Sequence, residues 1–98
     1  MYSDKRLLTL TRDLIRIDSQ NPPGNEKRIA FFIKDELAKS GLTTRLVECG
    51  KNRLNTITIL KARRAKATLL VTPHLDTVPA GRNWKFPPLS GRMYKKRI

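Results

Sequence analysis

The apolar positions of the first forty residues recur at helical spacing. One stripe, with steps of three and four residues, predicts a helix over 4–18 that is capped by Ser3 or Asp4. A second stripe predicts a helix over 26–40, with Asn25 as the N-cap and Gly41 in the turn after it. The two stripes consist of Leu7, Leu10, Leu14 and Ile17, and of Ile29, Phe32, Ile33 and Leu37.

After residue 41 the helical spacing gives way to short runs rich in apolar and β-branched residues. Runs at 42–48 and 55–60 predict two strands. The run that ends at Val71, bounded by Pro73, predicts a third strand that is buried on both faces of a sheet covered by helices. We expect 53–61 and 67–72 to pair as a hairpin. The order of elements therefore predicts an α/β fold in which two helices precede a mixed sheet.

His74, the single histidine of the chain, follows the third predicted strand, and Asp76 comes two residues later. In extended backbone such residues share a face. Imidazole is a common zinc ligand, and a carboxylate beside it can fix the tautomer and orientation of the ring. A His-x-Asp pair on its own is a weak signal, and an ordinary surface or core histidine is the alternative interpretation. The strand before the pair and the Pro-Gly turn after it favour a metal ligand.

The segment 72–81, Thr-Pro-His-Leu-Asp-Thr-Val-Pro-Ala-Gly, resembles the first metal motif of a family of zinc peptidases and amidohydrolases. This family includes acetylornithine deacetylase, succinyl-diaminopimelate desuccinylase, aminoacylase and carboxypeptidase G. Residues 14–26 are similar to its first helix and Asn-Pro-Pro-Gly-x-Glu turn, and residues 84–91 to its Trp-x-x-x-Pro-Phe-x-Gly segment. The resemblance implies that 1–98 are the N-terminal part of a three-layer catalytic domain, without the remainder of that domain and without the inserted domain.

The resemblance also implies an activity, namely hydrolysis of amide bonds in N-acyl amino acids or small peptides with zinc, or alternatively cobalt. His74 would be a metal ligand, and Asp76, which is counted among the catalytic residues, would orient it. The family's bridging aspartate, general-base glutamate and other ligands would lie beyond Ile98, so we expect this chain alone neither to retain zinc nor to be active. Pro73 replaces the family's usual glycine and leaves both side chains in place. A homodimer is compatible with the family.

The charge of the chain is strongly positive, at +13, and unevenly placed. Residues 1–50 carry nine basic and seven acidic side chains, whereas 51–98 carry twelve basic and one acidic, with clusters at 61–66 and 92–97. A small basic polyanion- or nucleic-acid-binding protein is therefore the alternative function, and the product of a decayed gene is a third. We expect 61–66 to be a solvated loop and the C-terminal cluster to be a frayed end. We expect neither cluster to have a stacking platform of aromatic residues, and hence no nucleic-acid partner.

Cysteine content and hydropathy bear on the compartment. A single cysteine, Cys49, excludes an internal disulfide and fits a reducing cytoplasm. No apolar run approaches the roughly 20 residues that span a membrane, and the N-terminal apolar run is interrupted too soon for a signal peptide. We therefore predict a cytoplasmic protein without a membrane partner.

Overall fold

Two helices and a two-stranded antiparallel sheet form the regular structure of the computed structural model, which describes residues 3–98. The protein is a small mixed α/β domain, as the helical and β-branched patterns predict. No helix within 3–98 has the length and apolar character needed to cross a membrane. The elements are α1 (Asp4–Arg16), α2 (Lys27–Ala38), β1 (Thr44–Gly50) and β2 (Arg53–Thr58).

Helix α1 begins where the sequence predicts and ends two residues earlier. The hydroxyl of Ser3 accepts a hydrogen bond from the backbone N–H of Arg6 at 3.3 Å, so Ser3 is the N-cap. Asp4 in the first turn and Arg16 in the last turn both complement the helix dipole. The apolar stripe is only partly covered, because no residue of α1 is fully buried and Leu7 is 50% exposed.

Helix α2 supplies the core of the domain. Ile29 and Ala30 are buried, and the helix packs against both strands. The predicted cap is wrong: Glu26 rather than Asn25 occupies the N-cap position, and its side chain makes no capping hydrogen bond. Gly41 has a φ of 75°, as expected for the turn after the helix.

Strands β1 and β2 form an antiparallel hairpin, each displaced towards the turn from its predicted position. Thr44 lies opposite Thr58 at the open end, and their hydroxyls are hydrogen-bonded at 2.6 Å. Asn52, with a φ of 60°, lies in the tight turn. The register shifts between Glu48 and Gly50, which marks a bulge near the end of β1.

The third predicted strand does not form in the part of the chain that the structure describes. Leu69, Leu70 and Val71 are 88%, 78% and 74% exposed, and 67–72 has no strand partner, so neither the mixed sheet nor the hairpin with 53–61 is present. A groove of about 970 Å³ separates β2 from 70–76. High β-propensity produces a strand only where a neighbouring strand completes the hydrogen-bond ladder, and 67–72 has no such neighbour.

The segment after the groove is held by the loop that follows α1. Gln20 and Thr77 form an isolated parallel bridge, in which the Asn21 N–H donates to the Thr77 carbonyl at 2.8 Å and the Thr77 N–H to the Ser19 carbonyl at 3.1 Å. The Ser19 hydroxyl, which is almost fully buried, donates to the carbonyl of Leu75 at 2.9 Å. These bonds fix 75–77 without a third strand.

The C-terminal basic cluster is folded rather than frayed. Tyr94 and Arg97 exchange two backbone hydrogen bonds of 2.8 and 3.0 Å around a tight turn. The preceding residues dock on α1, where the side chain of Arg12 donates to the carbonyl of Gly91 at 2.7 Å. Gly91 has a φ of 56°, and a Cβ there would lie 2.8 Å from the Arg12 carbonyl oxygen. Glycine therefore permits this close approach of the two backbones.

Replacement of Gly91 by alanine should loosen the docking of 84–98 more than replacement of Gly81 does. Both glycines have positive φ, so either alanine costs roughly 1–2 kcal/mol in backbone strain. Only Gly91 faces backbone atoms, whereas a Cβ at Gly81 meets nothing within 4 Å. We expect Gly91→Ala to be less stable than Gly81→Ala by a further ~1 kcal/mol or more in urea denaturation, with faster chymotryptic cleavage after Tyr94. Equal losses in the two variants would contradict this packing.

The ion pair between Arg6 of α1 and Glu36 of α2 should weaken in acid. The carboxylate of Glu36 accepts hydrogen bonds from Lys39 and Arg6, and these lower the pKa of Glu36. A lowered folded-state pKa gives stability that is fully present above the unfolded value of about 4.3 and is lost as pH falls through the folded value. Glu36→Gln should therefore destabilise the chain at about pH 6, and this loss should shrink as the pH falls through the folded-state pKa of Glu36, as measured by urea denaturation. Exposed Glu48→Gln is the control, and a pH-independent Glu36→Gln effect would refute the linkage.

Candidate metal-ligand site at His74 and Asp76

The imidazole of His74 is oriented by the residue two positions along the chain. Its Nδ1 lies 2.6 Å from the carbonyl oxygen of Asp76 and 3.2 Å from Oδ1 of the same residue. Both oxygens are acceptors, so Nδ1 carries the proton and donates. In the neutral ring Nε2 then has a free lone pair, and the side chain is 83% exposed. The arrangement presents Nε2 to solvent as a ligand atom.

The carboxylate of Asp76 is itself held in place. Its Oδ2 accepts a hydrogen bond from the Asn21 amide at 3.0 Å, and Nη2 of Arg53 lies 3.8 Å away. The hydrogen bond from Asn21, followed by that from His74, lowers the pKa of Asp76 below its usual value. Asp76 is therefore an ionised acceptor at neutral pH, which is the state needed to fix the tautomer of His74.

The Arg53 guanidinium is fixed by a carboxylate at the start of α2. It donates from Nη2 to Oε1 of Glu26 at 2.7 Å and from Nε to Oε2 at 3.1 Å, which is a bidentate pair. Glu26 is only 5% exposed. Gly24, with a φ of 75°, lies against the guanidinium, and a Cβ there would be 3.0 Å from Arg53 Cζ. The turn before α2 thus leaves room for Arg53.

The metal-ligand set within this part of the chain is small. Among residues 3–98 there is no group of three or more histidine, cysteine, aspartate or glutamate side chains that could surround one ion. Zinc takes three protein ligands in most catalytic sites and four in structural sites. His74 offers one nitrogen, while Asp76 is engaged with His74 and Asn21. These residues alone therefore do not fit a complete zinc site.

Some of this geometry is predictable from the sequence. The contact between His74 and Asp76 follows from their spacing and is confirmed, although the residues before them form no strand. Asn21 and Arg53 also belong to the site, but neither is predictable as part of it from the sequence. Asn21 lies in the Asn-Pro-Pro-Gly turn, a motif that marks the loop but does not identify the side-chain amide of Asn21 as a partner of Asp76. No local sequence pattern identifies Arg53.

Comparison of the chain with protein-family models, with curated proteins and with solved structures gives no match. The zinc-peptidase interpretation therefore depends on the resemblance of its motifs and on the geometry around His74.

Loss of the Asn21 amide should raise the pKa of Asp76. In Asn21→Ala the strongest hydrogen bond that favours the charged carboxylate is absent, so protonation of Asp76 should begin at higher pH than in the parent chain. Titration of the side-chain carboxyl ¹³C resonance by NMR measures the change. Asn25→Ala, which alters an exposed asparagine of the same loop, should leave the titration unchanged. An identical Asp76 titration in Asn21→Ala would contradict the assigned role.

Proposed function

We propose that residues 1–98 are the N-terminal part of the catalytic domain of a cytoplasmic metal-dependent hydrolase. The substrate class is N-acyl amino acids or small peptides, and the bond cleaved is an amide. The observation that supports this proposal most directly is the pair formed by His74 and Asp76. Its Nδ1–H contacts oxygens of Asp76, and Nε2 is left as the free ligand atom. Motifs on both sides of the pair resemble the same family and occur in the same order.

In this proposal His74 binds the metal, zinc or cobalt, through Nε2. Asp76 acts through His74 and is a positioning residue, because its carboxylate keeps the proton on Nδ1 and the ring in one orientation. Asn21 in turn keeps Asp76 charged and fixed. Since a single imidazole does not hold zinc tightly, the other ligands and the general base come from polypeptide outside 1–98. The 98-residue chain is inactive by itself.

The experiment begins with the gene, read past the codon for Ile98. We expect the frame to continue into a Gly-Arg-Gly-x-x-Asp segment, and we expect the native polypeptide to hydrolyse N-acetyl amino acids. His74→Ala should abolish the activity and zinc retention of that polypeptide. Asp76→Asn should lower activity or zinc affinity by about 10- to 100-fold. Exposed Glu48→Gln, which removes the same charge elsewhere, should leave both unchanged.

The 98-residue chain provides the complementary measurement. After dialysis against zinc, elemental analysis should find far less than one zinc per chain, and no amide hydrolysis should be detectable. Stoichiometric zinc in this chain would show that it holds a complete site. Full activity of the native polypeptide after His74→Ala would refute the assignment of His74 as a ligand.

A further inference from the structure

The segment 84–98 forms a second concave surface. A pocket of about 710 Å³ lies between this segment and Ile15 of α1. We call it the aromatic–basic pocket. The residues that characterise it are Trp84, Lys85, Phe86, Arg92, Tyr94 and Lys95.

The cations of the aromatic–basic pocket are held by aromatic rings. The rings of Phe86 and Tyr94 are in tilted contact, with centroids 5.4 Å apart. Arg92 lies 4.1 Å from the centroid of Phe86, Lys85 lies 4.7 Å from that of Tyr94, and Lys95 lies 5.5 Å from the same ring. These are cation–π distances, so the rings gather three positive charges at one place.

No side-chain carboxylate forms an ion pair with these three cations among the described residues. The ion pairs formed within 3–98 do not include Lys85, Arg92 or Lys95. The only acidic residue of 51–98 is Asp76, which is engaged with Asn21 and His74. Cation–π contacts hold the cations without neutralising them, so the pocket keeps a positive potential that favours an anionic ligand.

An exposed aromatic ring lines the same pocket. Trp84 is 59% exposed, yet its indole N–H donates to the carbonyl of Ala80 at 2.6 Å. The Ala80 N–H in turn donates to Oε1 of Gln20 at 2.7 Å. A large ring that is anchored at one edge and open to solvent is suited to stacking on another flat ring, and it loses little conformational freedom when it does so.

The other basic cluster, 61–66, provides an internal comparison. All its residues are exposed, and none is aromatic. It has positive charge without a stacking surface, as expected for a solvated loop. The cluster at 92–97 differs, because the structure places Tyr94 against Phe86 within it and Trp84 in the same pocket. The expectation that neither cluster has a stacking platform is therefore wrong for 92–97.

We propose that the aromatic–basic pocket binds single-stranded nucleic acid. A base stacks on Trp84, and adjacent phosphates contact Arg92 and Lys95. Single strands fit better than duplexes, because only unpaired bases expose their faces to an aromatic side chain. This binding is separate from amide hydrolysis and does not depend on His74.

Fluorescence anisotropy of a labelled oligothymidylate of about 12 nucleotides tests the contribution of the charges. The double variant Arg92→Ala/Lys95→Ala should weaken binding by roughly tenfold and reduce the slope of log K against log salt by about 1.4. The matched control, Arg63→Ala/Lys66→Ala, removes the same charge from the other cluster and should change neither quantity appreciably. Equal weakening by the two variants would indicate general attraction to a basic chain and would overturn the proposal.

Trp84 tests the stacking contact, and it is the only tryptophan of the chain. Its fluorescence should be quenched by the oligonucleotide, and Trp84→Leu should weaken binding about fivefold or more. Because the residue is exposed, the variant should keep the parent far-UV circular dichroism spectrum. Binding without quenching, unchanged affinity of Trp84→Leu, or equal affinity for a duplex or for heparin would each overturn the proposal.

Discussion

The pair of Glu26 and Arg53 is the constraint on which the arrangement of this domain depends. Glu26 is 5% exposed, and an unpaired charge at such a position costs several kcal/mol. The bidentate guanidinium provides a strong, directional partner. Because Glu26 precedes α2 and Arg53 begins β2, the pair fixes the start of the helix against the start of the strand. The burial of Ile29 and Ala30 then holds the rest of α2 on the sheet.

The same guanidinium contributes to the position of His74 in the absence of a third strand. Arg53 reaches towards Asp76 at 3.8 Å, and Asn21 donates to the same carboxylate oxygen at 3.0 Å. The backbone bonds between the loop after α1 and Thr77 prevent the segment from sliding. Side-chain hydrogen bonds and one short backbone bridge thus hold the segment in place, as a ladder of strand hydrogen bonds does in a complete sheet. The geometry of His74 depends on two or three specific contacts and hence on few residues.

Local interactions were predictable from the sequence, and long-range ones were not. The stripes that include Leu10 and Ile29 identify both helices, and Ser3 is found as a cap because its partner is three residues away. The run that ends at Val71 has the composition of a strand, but strand formation needs a neighbour that local sequence does not specify. Asn21 lies 55 residues from Asp76, a separation at which no periodicity carries information. The contact between His74 and Asp76 was predictable because only two residues separate them.

Both candidate sites are held by the loop after α1, but each is held by a different side chain of that loop. In the loop after α1, the amide of Asn21 holds Asp76, whereas the amide of Gln20 holds Ala80, whose carbonyl in turn accepts from Trp84. Two neighbouring residues of one loop therefore orient His74 on one side and the indole on the other. Since each site has its own side-chain link to the loop, a change in one link can disturb its site while the backbone bridge at Thr77 still holds the segment. The ligation proposed at His74 and the stacking proposed at Trp84 are thus separable properties of the same scaffold.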